Sequence, residues 1–205
     1  MIELTASAVA GATGGVLTAT ASPSLTVTAA TTDSRETTPG TLFIAKPGEH
    51  ADGHDFIPAA RAAGATLVLA ERETTDAQGR VDPAVLVDDV VLAMGRLAAY
   101  IVERIREHSP TTVIGITGSA GKTTTKDLLA SVLATEGPTV APQGSYNGEV
   151  GVPLTVFQAA LDTRYLVVEM GADGVGNIEY LAGMVKPDIG VVLMVGSAHA
   201  GKFGG

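Results

Sequence analysis

Residues 112–125, Thr-Val-Ile-Gly-Ile-Thr-Gly-Ser-Ala-Gly-Lys-Thr-Thr-Thr, run from a β-branched apolar stretch through a glycine-rich turn directly into a helical pattern. Few folds accommodate that succession. A strand that delivers its C-terminal end to a tight turn and the start of a helix is the phosphate-cradling unit of parallel α/β sheets. Glycines let the backbone curl so that its N–H groups, together with the helix N-terminus, converge on phosphate oxygens. The candidate nucleotide-binding set is Thr117, Gly118, Ser119, Ala120, Gly121, Lys122, Thr123 and Thr124. Lys122 is a mobile cation for the terminal phosphates, and the Thr123 hydroxyl suits Mg2+. The match is to the tail Gly-x-x-Gly-Lys-Thr, because Ile116 stands where the general pattern has its first glycine. The plainer alternative is a glycine-rich turn with an exposed lysine, which leaves the coincidence of strand, glycines, threonines and amphipathic helix unexplained.

After a linker at His108-Ser109-Pro110, buried-strand texture recurs at 112–117, 165–170 and 189–195, with helical segments near 121–135, 153–161 and 176–185. Leu128, Leu129, Val132 and Leu133 are expected to form the buried face of the first of these helices. The alternation predicts a mostly parallel, doubly wound sheet with ligands at the strand C-terminal ends. Two further side chains fall at such ends. Glu169 closes the run Tyr165-Leu166-Val167-Val168, which makes it either a cation ligand beside the phosphate loop or a solvated strand-end acid. His199 follows the third strand, where a lone histidine is more often a surface residue than a ligand. Asp188, at the opposite end of that strand, reads as structural.

Before the linker, apolar runs at 41–45, 66–71 and 84–87, with helical spacing from His54 to Ala63, describe a small α/β module. A helix over 88–107, capped by Asp88 or Asp89, presents Leu92, Leu97, Ile101 and Ile105, flanked by Val90, Met94 and Ala98. The 205 residues thus divide into an N-terminal module, 1–108, and a nucleotide-binding part, 109–205. The balance of 13 basic and 22 acidic residues, 13 − 22 = −9, argues against nucleic acid as a partner. No apolar run approaches the ~18 residues that a membrane span needs. With no Cys in the chain, a disulfide framework is excluded and a reducing, cytoplasmic location is expected.

Glu169 and His199 follow the phosphate loop, and Asn147-Gly148-Glu149-Val150-Gly151-Val152-Pro153-Leu154-Thr155 lies between the loop and Glu169. In this order the segments resemble the ATP-dependent Mur ligases of peptidoglycan synthesis over almost the whole chain. Asp33-Ser34-Arg35, Pro39-Gly40-Thr41-Leu42-Phe43 and Asp52-Gly53-His54-Asp55-Phe56 are similar to the N-terminal domain of the branches that add the third residue or the terminal dipeptide. Val168-Glu169-Met170-Gly171-Ala172 and the stretch from Val191 to His199 resemble the dipeptide-adding branch most. Gly148 and Met194 depart from the family, which has Asn at both positions.

The resemblance implies ATP-driven joining of D-alanyl-D-alanine to UDP-N-acetylmuramoyl-tripeptide through an acyl phosphate. It implies ATP and Mg2+ as cofactors, with Lys122, Glu169 and His199 catalytic. It assigns Thr123 and Glu169 to one Mg2+, His199 to a second, and Asn147 to substrate positioning. Asp33, Ser34 and Arg35 then contact the UDP end, although by themselves they read equally as a turn with a surface ion pair. His54 is a candidate substrate-site residue whose plainer role is to satisfy its own loop. The alternatives are the related third-residue ligase, a folylpolyglutamate synthetase type, and a non-catalytic UDP-sugar-binding module. The family's third domain, and a lysine following the His199 loop, would lie beyond Gly205. The 205 residues alone are therefore expected to be catalytically silent, to expose apolar strand edges around 165–170 and 189–195, and to self-associate.

Overall fold

A computed structural model of the chain describes residues 1–48 and 51–196, so His199 lies outside the described residues. The fold is mixed α/β with parallel sheets, and the chain forms two compact units, Met1–Leu97 and Ala98–Gly205.

The first unit is built from β1 (Leu4–Thr5), α1 (Ala6–Thr13), β2 (Val16–Leu17), β3 (Thr26–Val27), β4 (Ala29–Thr31), β5 (Thr41–Ile44), α2 (Ile57–Ala63), β6 (Ala65–Ala70) and β7 (Ala84–Leu86). Its five-stranded sheet has the order β2-β7-β6-β5-β4, parallel except for the antiparallel β2–β7 pair, while β1 and β3 form a separate antiparallel pair. All four residues of β5 are buried. Because successive side chains point to opposite faces, burial of all four means that both faces are covered there. On one face Phe43, Val68 and Ala84 pack with Ile57 and Ala60 of α2. Gly64 ends α2 at φ 111°, where its amide returns to the carbonyls of Ala60 and Arg61, a left-handed terminus that glycine adopts without strain.

Helix α3 (Val90–His108) starts with the Asp89 carboxylate accepting the Leu92 amide. Its buried stripe is Val90, Met94, Leu97, Ile101 and Ile105, whereas Leu92, expected on that stripe, is exposed. The unit boundary falls inside α3 rather than at residues 108–110. The C-terminal half of α3 is tied into the second unit. Arg106 donates to the Lys186 carbonyl and the Asp188 carboxylate, both at 2.8 Å, and Glu103 accepts from Lys186 at 2.8 Å.

The second unit contains β8 (Thr112–Thr117), α4 (Lys122–Leu133), β9 (Thr139–Val140), α5 (Gly151–Val156), β10 (Tyr165–Glu169), α6 (Asn177–Val185) and β11 (Ile189–Val192). All pairs in its sheet, β11-β8-β10-β9, are parallel. Helix α5 starts earlier and ends sooner than the spacing predicts, which puts Pro153 in its first turn, where no intrahelical N–H is required. Asp188 is structural as expected, accepting the Val113 amide at 2.8 Å beside Arg106.

Two expectations about apolar surface need correction. On α4 the covered stripe is the buried Lys126 with the half-buried Leu129 and Leu133; Leu128 and Val132 are 65% and 63% exposed, being displaced around the helix from that stripe. Strand β10 is not an edge, since it pairs with both β8 and β9. Of the two expected edges, only the β11 side is exposed among the described residues, at Ile189, Val192, Met194 and Val195.

Candidate phosphate and cation site

Strand β8 is flanked by β10 and β11, and their C-terminal ends are level: Ile116 pairs with Glu169 and Thr117 with Val192. The loop leaving β8 therefore turns directly over the carboxylate. Gly118 (φ 141°) and Gly121 (φ 83°) make the turn in backbone regions that other residues rarely adopt. A Cβ at Gly118 would also come within 2.9 Å of the Leu193 side chain. The loop is pinned from the far strand: the Ser119 amide donates to the Met194 carbonyl at 2.8 Å, and the Gly196 amide donates to Ser119 Oγ at 2.9 Å. Ala120 bridges Met194. Gly121 caps α4, whose first residue, Lys122, folds back so that Nζ donates to the Gly118 carbonyl at 2.6 Å.

Thr123 and Glu169 meet as the sequence predicts. Thr123 Oγ1 donates to Glu169 Oε2 at 2.9 Å, and its other contact, at 3.0 Å, is Ser145 Oγ. With the Thr123 proton committed to the carboxylate, Ser145 donates to Thr123. Asn147 Nδ2 donates to Glu169 Oε1 at 2.9 Å, while the Asn147 carbonyl accepts the Gly171 amide at 2.7 Å. Asn147, a candidate for substrate positioning, thus holds the carboxylate in orientation. Gly171 is required for that approach, because a Cβ there would lie 2.8 Å from Asn147 Oδ1.

Glu169 is only 1% exposed, yet among the described residues its partners are neutral and no ion pair reaches it. A buried carboxylate held by hydroxyl and amide donors, without a counter-charge, is costly on its own and fits a bound cation. The surrounding donors are hard oxygens, Glu169, Thr123 and Ser145, and no group of three His, Cys, Asp or Glu occurs among the described residues. That set suits Mg2+, which binds through one or two carboxylates and completes its shell with water and phosphate oxygens. Ser145 escaped the sequence reading because a loop serine carries no pattern. Lys126 escaped it too, although a lysine on the Leu129–Leu133 stripe is a legible signal.

The N-terminal candidates lie together only in part. Asp33 caps the short 3-10 turn Ser34–Glu36, accepting the Arg35 amide at 2.9 Å, and pairs with the Arg35 guanidinium at 2.5 Å. The Arg35 bonds hold the Asp33 carboxyl down at about 2. Arg35 itself is 87% exposed. His54, by contrast, is buried with both ring nitrogens engaged: Nδ1 meets Asp52 Oδ1 at 2.6 Å and Nε2 accepts the Glu71 amide at 3.0 Å. Arg72 completes the cluster on Asp52 at 2.7 Å. The candidate substrate role for His54 is corrected accordingly, since it has no free ring nitrogen to offer. His54→Ala should destabilise the chain by about 1–3 kcal/mol, the cost of unpairing buried partners, without changing ligand affinity. Thermal melts beside ligand titrations check this.

A central parallel strand feeding a glycine turn, a lysine and a hydroxyl, level with a carboxylate on the next strand, defines a P-loop-type nucleotide-binding unit. Residues 26–101 match the Mur ligase family catalytic domain and residues 116–205 the Mur ligase middle domain, and the chain belongs to the Mur ligase family. It is 45% identical, over its whole length, to the UDP-N-acetylmuramoyl-tripeptide–D-alanyl-D-alanine ligase of Mycobacterium bovis, and it spans 44% of that relative. Among solved structures, MurF from Acinetobacter baumannii superposes with a TM-score of 0.86 at 35% identity, covering 99% of this chain and 43% of that one. The MurF ligase of Thermotoga maritima, solved in complex with ADP, gives 0.70 at 37% identity, covering 83% and 38% respectively.

Proposed function

We propose that the chain supplies the UDP-substrate-binding and ATP-binding parts of a ligase that joins D-alanyl-D-alanine to UDP-N-acetylmuramoyl-tripeptide. The observation that carries this reading is Glu169, buried and without a counter-charge among the described residues, held by Thr123 and Asn147 beside the phosphate loop, in a chain similar to ligases of that name. The tripeptide carboxylate attacks the γ-phosphorus of ATP, ADP leaves, and the D-alanyl-D-alanine amine then attacks the acyl phosphate and expels inorganic phosphate. Both steps bring anions together, so the protein's task is charge control and alignment.

The Ser119 amide being held by Met194, the backbone amides of Gly118 and of Ala120 to Lys122, with the start of α4, bind the phosphates. Lys122 leaves the Gly118 carbonyl to neutralise the terminal phosphoryl group. Thr123 and Glu169 would hold Mg2+, with Ser145 and Asn147 fixing their orientation. Mg2+ bound there lowers the repulsion between carboxylate and phosphate. His199, outside the described residues, remains the proposed holder of a second cation. A reaction that consumes ATP suits the cytoplasm; among the described residues no helix is long and apolar enough to cross a membrane.

Recognition of the UDP end is assigned to Asp33, Ser34 and Arg35. Arg35→Ala should weaken binding of the UDP-muramoyl peptide by about tenfold, the loss of one charge-assisted hydrogen bond, and leave ADP binding unchanged. Calorimetric titration of the 205-residue chain with each ligand makes the comparison. Equal affinities of wild type and variant for the UDP peptide would remove Arg35 from the site.

A further inference from the structure

Lys126 lies one helical turn beyond Lys122 and Thr123, and its side chain is buried. Nζ donates to the carbonyl of Pro142 at 2.7 Å and to that of Gly144 at 3.0 Å, and meets Asp127 Oδ1 at 2.8 Å. Three acceptors match the three N–H bonds of an ammonium. The two carbonyls belong to the segment immediately before Ser145 and Asn147, the residues that contact Thr123 and Glu169.

Two separate anchors therefore serve the site. The phosphate loop is held by Leu193 and Met194, through the Gly118 approach and the Ser119 amide. The wall carrying Ser145 and Asn147 is held from beneath by Lys126. We propose that Lys126 is a positioning residue for the cation half of the site: it fixes Ser145 and Asn147 against Thr123 and Glu169, and so sets how strongly a divalent cation and a nucleotide reinforce each other. The inference rests on the nucleotide reading above.

The test measures ADP affinity of the full 205-residue chain with and without Mg2+, for wild type, Lys126→Met, Lys126→Gln and Lys126→Arg. In Lys126→Met the strengthening of ADP binding by Mg2+ should shrink by about tenfold while metal-free ADP affinity stays within about threefold, because only the carbonyl-anchored wall is released. Lys126→Arg, which keeps charge and several donors, should restore most of the coupling. Should Lys126→Met fail to give a cooperative thermal transition, Lys126→Gln, which retains one amide donor group, is read instead, with partial loss of coupling expected. Metal-free and Mg2+-dependent affinities falling together, or unchanged coupling in the Met or Gln variant, would overturn the positioning role. Wild type failing to bind ADP would overturn the nucleotide reading itself and the inference with it.

Discussion

Lys122→Ala is expected to cost the chain at least about 100-fold in Mg2+-ATP affinity, a few kcal/mol, with its thermal stability nearly unchanged. The lysine makes one hydrogen bond to its own loop, to the Gly118 carbonyl, so the folded chain loses little when it is removed. A bound triphosphate would lose its principal local cation. The difference between a large binding loss and a small stability loss is the signature of a functional lysine. Calorimetric titration beside a thermal melt reads both, and near-normal ATP affinity in the variant would make the loop a structural turn.

Glu169→Gln should produce the second large effect, and with a more informative sign. Neutralising this side chain removes a buried charge that no cationic side chain offsets among the described residues. The ligand-free variant should therefore be as stable as wild type or more so, while Mg2+-dependent strengthening of nucleotide binding falls by about two orders of magnitude. Gln has one acceptor oxygen: turned to Thr123 it sets its NH2 against the Asn147 amide, and turned to Asn147 it sets its NH2 against the Thr123 hydroxyl, which can accept, so at most one of the two orienting bonds is weakened. A variant that is clearly less stable yet still couples Mg2+ to nucleotide would identify Glu169 as an ordinary structural acid.

Both predictions depend on residues that were legible in the sequence, and the reasons differ. Lys122 and Thr123 are visible because the phosphate grip is local: strand, turn and helix are contiguous from Thr112 to Leu133. Glu169 is visible because a buried parallel strand announces itself as an apolar run, and its carboxyl end is where ligands collect. Ser145, Lys126 and the bond of Asn147 to the carboxylate were hidden because their significance comes from contacts between segments remote in sequence, such as Asn147 to Glu169 and Lys126 to Pro142. His54 is a different case: its sequence setting allows both a substrate contact and a role within its own loop, and the contacts that favour the second, with the Asp52 carboxylate and the Glu71 amide, are seen only in the fold. The short strands β1 to β4 and β9 span only two or three residues each, too few to establish a period. On α4, Leu128 and Val132 mimic a core stripe because helical spacing identifies faces without saying which one is covered.

The strand order β11-β8-β10-β9 also has a kinetic consequence. Strand β8 emerges first, but both of its partners come later in the chain, and the Val113 amide is bonded by a carboxylate 75 residues further on. The phosphate loop finds its pinning contact, Ser119 to Gly196, 77 residues downstream. Such distant closures are slow relative to local helix formation, so α4 can form long before the cradle it serves. During refolding, amide protection in α4 should precede protection in the loop, and nucleotide-binding capacity should appear only with the last-formed pairing of β11 on β8. The chain thus builds its helix early and becomes able to hold a phosphate at the end.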